Sequence, residues 1–186
     1  MNKALILIGS PRKKGNSAFL TTSLANKLKG KVEIETAFLY GFNIEPCIDC
    51  RACKNGEMKC VLNDGMIELY EKIDASDTII FASPIYWFGP TAQTKLLLDR
   101  FRPYFVNKKL NGKKAALILP AGSGAGDCDL TIEMFKRSFQ ALDVEFVGVV
   151  SSESYNVGDA ENDLKAMDMI QKLSEKILSY STKDSV

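Results

Sequence analysis

Four cysteines stand close together in this chain: Cys47, Cys50 and Cys53 at intervals of three residues, then Cys60 seven further on. Three thiols at this spacing can wrap one metal cluster, and a fourth nearby completes a four-thiolate shell. Zinc also takes four thiolates, although three cysteines within seven residues are tight for a pair-of-pairs arrangement. The same thiols could instead form a metal-free redox set or simply shape a loop. Pro46 before the first and Gly56 in the long gap are compatible with a wrapping loop. Cys128 stands apart and reads as a small core or helix-start residue.

A second constellation lies near the start. Residues 4–8, Ala-Leu-Ile-Leu-Ile, form an apolar run without alternation, as expected of a strand covered on both faces. Gly9, Ser10 and Pro11 break it, Arg12, Lys13 and Lys14 add positive charge, and Gly15 permits another bend. Asn16 and Ser17 are good N-caps for a helix running through Phe19, Leu20, Leu24 and Leu28. A strand, a polar loop and a helix start make an anion site, because free N–H groups and the helix dipole both favour negative charge. Ser10, Asn16 and Ser17 can add donors to phosphate oxygens. A Walker loop would need a lysine where Asn16 stands, and the Gly-x-Gly-x-x-Gly dinucleotide fingerprint is absent. The pattern therefore suits a terminal phosphate better than a triphosphate or pyrophosphate, the alternative being an ordinary basic loop.

The composition narrows the chemistry. The chain has 186 residues, enough for a full core in one domain, and contains no histidine. Ser-His-Asp and Cys-His catalysis and histidine proton shuttles are thereby excluded. An enzyme built this way must lean on a cofactor, cysteines, carboxylates or the backbone. A net charge of +1 offers no bulk attraction for nucleic acid or acidic lipid. The apolar runs are far too short to span a membrane, and no secretory leader is evident, so the cytoplasm is the expected location with thiols reduced.

The elements that must position these groups follow from the apolar pattern. Strands are expected at residues 4–8, 32–39, 77–82, 115–119 and 144–150, the second partly alternating as at a wet edge. Helices are expected after the first loop and at 66–73, 91–101, 130–142 and 164–177. Residues 41–63, which hold the four clustered cysteines, are irregular, and the last five or six residues are polar and expected to fray. Strands alternating with helices imply a parallel, doubly wound sheet whose ligands bind beyond the carboxyl ends of its strands. The loops at 9–17, 83–90 and 120–126 and the cysteine segment then share one rim. The loop at 83–90, Ser-Pro-Ile-Tyr-Trp-Phe-Gly-Pro, would suit a planar heterocycle, or could pack beneath itself or against another subunit. The glycine-rich stretch at 121–126 would let backbone approach the same ring.

Gly9 to Ser17, Ser83-Pro-Ile-Tyr-Trp87, and Lys95 with Asp99 and Arg100 resemble, in matching order, the flavodoxin-like NAD(P)H-dependent FMN reductases. The resemblance covers nearly the whole chain. It implies an α/β flavodoxin-like fold, a five-stranded parallel sheet of order 2-1-3-4-5 with helices on both faces. It implies FMN, its phosphate held by Ser10, Arg12, Asn16 and Ser17. Pro84, Ile85, Tyr86 and Trp87 would line the isoalloxazine ring, with Gly122 and Ser123 opposite. Lys95, Asp99 and Arg100 are expected to be mainly structural. The cysteine spacing resembles that of the iron–sulfur flavoproteins, a branch of the same family, which makes Cys47, Cys50, Cys53 and Cys60 candidate [4Fe–4S] ligands. The implied activity is electron transfer between NAD(P)H or a protein donor and a flavin, quinone or other small acceptor. With a cluster, a ferredoxin-like protein becomes the expected partner, and a homodimer or homotetramer the expected assembly. The alternatives are a flavodoxin-like electron carrier without its own substrate and a phosphate-ligand-binding protein that never sees flavin.

Overall fold

Side chains alternate between two apolar layers along the central strands, so the middle of the sheet exposes no polar surface. The computed structural model describes residues 2–181; the tail expected to fray lies beyond them. In chain order the elements are β1 (Lys3–Ile8), α1 (Asn16–Leu28), β2 (Glu33–Phe38), α2 (Met66–Asp74), β3 (Thr78–Ala82) and the short strands β4 (Ile85–Tyr86) and β5 (Gly89–Pro90). Then come α3 (Ala92–Asp99), α4 (Arg102–Asn107), β6 (Lys114–Ala121), α5 (Asp129–Ala141), β7 (Glu145–Glu153) and α6 (Leu164–Ser181).

The main sheet runs β2-β1-β3-β6-β7, all parallel. With the β4–β5 hairpin set aside, this is the expected order 2-1-3-4-5. Leu5, Leu7, Ile79, Phe81, Leu117 and Leu119 face the layer that also contains residues of α2, α3 and α5. Ala4, Ile6, Ile8, Ile80, Ala82 and Ile118 face the other, with residues of α1 and α6. Ala37 is the sole buried residue of β2, which fits the expected edge position.

Three local expectations are corrected. Asn16 and Ser17 do not cap α1; Gly15 occupies the cap, and both residues lie in the first helical turn. The helix expected over 91–101 ends at Asp99, and α4 begins at Arg102 with Pro103 in its first turn. Proline has no N–H to give a preceding turn, so it starts a helix more readily than it continues one. The segment 83–90 is not a plain loop: β4 and β5 pair antiparallel around a tip formed by Trp87 and Phe88. Both tip residues have positive φ, 50° and 62°. A two-residue hairpin loop needs this geometry, but bulky aromatics adopt it only under strain.

The junction of β1 with the rim is tight. The backbone N–H of Gly9 donates to Ala82 O at 2.8 Å, and its carbonyl accepts from Thr91 Oγ1. A Cβ at Gly9 would stand 1.8 Å from Thr94 Oγ1 and 3.2 Å from Thr91 Oγ1. Thr94 is buried, β-branched and hydrogen-bonded to Thr91, so it has little freedom to turn away. Gly9→Ala should therefore cost about 1–3 kcal/mol, the range for overpacking a filled site. A urea-unfolding midpoint equal to wild type would show that the threonine pair can yield.

Candidate functional site

Parallel strands β1, β3 and β6 end on the same edge, and their following segments enclose a cleft of about 300 Å³. Ser10, Arg12, Gly15, Asn16 and Ser17 form one wall. Pro84, Ile85 and Tyr86 form a second, and Pro120, Ala121 and Gly122 a third. Ser154 and Tyr155, which follow β7, close it.

The residues expected to hold a phosphate differ in how free they are. Ser10 Oγ accepts from Arg12 N–H at 3.2 Å, which folds the loop back on itself. Ser17 is 2 % exposed, and its Oγ has no hydrogen-bond partner among the described residues. A buried hydroxyl without a partner costs about 1–3 kcal/mol, so a ligand oxygen at this point would recover that loss. Asn16, by contrast, is already committed. Its Nδ2 donates to Asn156 O at 2.8 Å, and its Oδ1 accepts from the backbone N–H groups of Gly158 and Ala160 at 2.9 and 3.4 Å. It lines the cleft, yet its main work here is to tie the loop after β1 to the segment that carries Tyr155.

Eight of the ten residues expected around the ligand meet at this cleft, and two do not line it. Trp87 is 96 % exposed at the hairpin tip, turned outward by its positive φ. Thr131 Oγ1 donates to Phe88 O and so pins that tip to α5. Ser123 faces the neighbouring groove, because the 3-10 turn Gly124–Asp127 carries the chain away and its N–H donates to Asp127 Oδ2 at 3.0 Å. Ser154 and Tyr155 are additions. The signal that could have found them is the parallel sheet, which brings the segment after its last strand to the same rim. Gly122 has a role beyond flexibility: a Cβ there would already touch the Tyr155 ring at 3.4 Å.

The four clustered cysteines line a second, much smaller pocket together with Arg100 and Arg102. Among the described residues no three Cys, Asp or Glu side chains stand in a ready metal-ligand arrangement. The donor set is chemically that of a thiolate-bound centre, since all four cysteines line one pocket and Cys60 Sγ lies 3.3 Å from Arg100 Nη2. Burial, followed by the neighbouring Cys60, pushes the Cys53 thiol upward. Cys128 is fully buried, as expected of a small core residue, and burial raises its thiol to about 11.

Arg100 and Asp64 are 1 % and 2 % exposed and form a two-pronged pair, Arg100 Nη2 reaching Asp64 Oδ1 at 3.1 Å and Nη1 reaching Oδ2. This agrees with the structural role expected for Arg100. Lys95 and Asp99 pair with each other across one helical turn at the surface.

The chain belongs to the NADPH-dependent FMN reductase family, whose model matches residues 2–142. It is 29 % identical over 184 residues to an iron–sulfur flavoprotein of Methanocaldococcus jannaschii, covering 94 % of this chain and 95 % of that one. It is 30 % identical over 177 residues to an iron–sulfur flavoprotein of Methanosarcina thermophila, covering 91 % and 90 %. Its fold is flavodoxin-like: a WrbA-like flavodoxin from Agrobacterium tumefaciens superposes with a TM-score of 0.60 at 17 % identity, over 97 % of this chain and 99 % of the other. No helix among the described residues is long and apolar enough to cross a membrane.

The ion pair yields a pH dependence. Burial alone would raise Asp64, but Arg100 and the backbone N–H groups of Glu45 and Met66 outweigh it and hold the carboxyl below its usual range. A folded value below the unfolded one gives stability above the unfolded value, near pH 4, that is lost as pH falls through the folded one. Asp64→Asn should cost about 3–5 kcal/mol at pH 7 by leaving a buried cation unpaired. Its loss relative to wild type should shrink on acidification below pH ~4. An equal loss at pH 7 and pH 2 by urea titration would contradict this account.

Proposed function

We propose that this chain is an FMN-dependent oxidoreductase that takes reducing equivalents from NAD(P)H and passes them to a small acceptor such as a flavin or quinone. The observation that carries the reading is the buried, partnerless hydroxyl of Ser17 beside a basic helix start, in a cleft that continues into an aromatic hairpin. Ser17, Ser10, Arg12 and the first N–H groups of α1 would hold the terminal phosphate. Pro84, Ile85 and Tyr86 supply an apolar wall for a flat ring, and Pro120 and Tyr155 supply further walls. Bound FMN would supply the hydride chemistry that these side chains lack. The protein's part is to hold the phosphate, set the ring plane and keep water from one side of it.

Ser17→Ala separates a ligand role from a structural one. Removing an unsatisfied hydroxyl should leave the apoprotein equally or more stable. It should weaken FMN binding roughly tenfold or more, as expected for a lost hydrogen bond to a charged oxygen. Unchanged FMN affinity by fluorescence titration would take Ser17 out of the site.

A second centre is favoured by the convergence of four thiols on one pocket. We infer that Cys47, Cys50, Cys53 and Cys60 would hold a [4Fe–4S] cluster, which would supply single-electron traffic and so suit a ferredoxin-like protein partner. Cys50→Ser should then lose the iron taken up on anaerobic reconstitution while retaining FMN. Iron content equal to wild type would defeat the assignment.

A further inference from the structure

The guanidinium of Arg100 makes more contacts than an ion pair needs. Nη1 donates to Glu45 O at 2.7 Å as well as to Asp64, and Nη2 donates to Cys60 Sγ at 3.3 Å as well as to Asp64. Four of its five N–H groups are thus used, and the fifth, on Nε, is buried without a partner. Glu45 lies two residues before Cys47, and Asp64 lies four after Cys60. One side chain therefore closes both ends of the cysteine segment. The same neck is laced by Glu45 N–H to Asp64 Oδ2 at 2.9 Å and Gly65 N–H to Asn43 O at 2.8 Å. Arg100 is itself fixed at the end of α3, where the Tyr70 hydroxyl donates to its carbonyl.

Closing a loop does not require a buried charge. Well-packed apolar residues do this as well or better, because two ions must be desolvated to form the pair. What a guanidinium adds is a directed cationic donor. An N–H···S contact is weak toward a neutral thiol, but it strengthens when the sulfur carries negative charge, and hydrogen bonds to ligand sulfurs help set a cluster's potential. Cys60 is also the ligand most in need of placement, since a six-residue gap containing Gly56 separates it from the other three.

We propose that Arg100 is the positioning residue of the cysteine centre: it joins the two ends of the loop, holds Cys60 in line with Cys47, Cys50 and Cys53, and presents a cationic N–H donor that raises the reduction potential of the cluster bound there. The part that concerns potential rests on the cluster reading above; the part that concerns Cys60 does not.

The test is Arg100→Lys, which keeps the charge but loses the planar fork. Two quantities are read in protein prepared without oxygen. In the reconstituted protein, the cluster's midpoint potential should fall below that of wild type while FMN binding is unchanged. In the iron-free protein, alkylation of Cys60 relative to Cys47, followed by mass spectrometry, should depart about tenfold from the wild-type ratio, the equivalent of one lost hydrogen bond: upward where freed access dominates, downward where the lost donor leaves less thiolate. A wild-type potential together with a wild-type alkylation ratio overturns the proposal. If wild-type protein takes up no iron, the cluster reading fails, and the alkylation ratio alone decides whether Arg100 positions Cys60. If Arg100→Lys does not fold, Cys60→Ala reads the contact from its other end. Amide exchange at Lys54 and Asn55, whose N–H groups bond within the loop, should then accelerate in iron-free protein, and unchanged exchange overturns the proposal.

Discussion

A parallel sheet covered on both faces can hold almost nothing polar. The main-sheet residues of β1 and β3 from Ala4 to Ile8 and from Thr78 to Ala82 are buried throughout, and the layers on either side are apolar. Every group able to do chemistry is thereby displaced to the segments that leave the sheet. This constraint explains why the loop after β1, the aromatic hairpin and the segment after β7, far apart in sequence, gather on one rim; the cysteine segment, expected on the same rim, instead lines a separate pocket beside the last residues of α3. The same constraint explains the crowding at Gly9, where the first strand must turn directly under α3 with no room for a side chain.

The segments around the two pockets are held by a few polar side chains, each in place of a longer stretch of regular structure. Asn16 fastens the loop after β1 to the Asn156–Ala160 segment, and with it Tyr155. Ser83 Oγ accepts from Thr91 N–H at 3.0 Å and closes the base of the hairpin. Arg100 and Asp64 close the cysteine segment. These contacts are individually modest, about 1 kcal/mol for a neutral hydrogen bond. They matter because the segments they fasten have few buried apolar side chains of their own; between residues 45 and 65 none is buried.

The parallel class, the covered central strands and the general position of the site were legible in the sequence because apolar periodicity is a local signal, whereas the strand order was legible only through the family resemblance. The continuous run at residues 4–8 and the alternation in the second strand read directly as central and edge positions. The pairings that shape the site were not legible, because they are long-range. Nothing near Asn16 announces that its amide will be taken up 140 residues later, so it read as a helix cap. The turn at Trp87 and Phe88 was hidden for another reason: hairpins of this type normally carry Asn-Gly or Asp-Gly, and aromatic residues there contradict local preference. The cysteine spacing was plain, whereas the buried arginine that fastens it, expected through the resemblance to be structural, lies on a distant helix end with nothing near it in sequence to name its partners.

Local preference and tertiary structure disagree at several places, among them the hairpin tip, the start of α1 and the end of α3. Trp87 and Phe88 hold positive φ at a cost of order 1–3 kcal/mol each. Ser17 buries a hydroxyl with no partner, and Arg100 buries an N–H with none. Elsewhere the described side chains are well satisfied; these two are the buried polar atoms without partners among them. A chain selected for stability alone would remove such defects cheaply, with glycine at the turn, alanine at 17 and an apolar residue at 100. Those at Ser17 and Arg100 border the cleft and the thiol pocket, as preorganisation would place them. On the proposed reading, the Ser17 hydroxyl is a buried group that a bound phosphate would satisfy, so this donor need not rearrange when the ligand arrives.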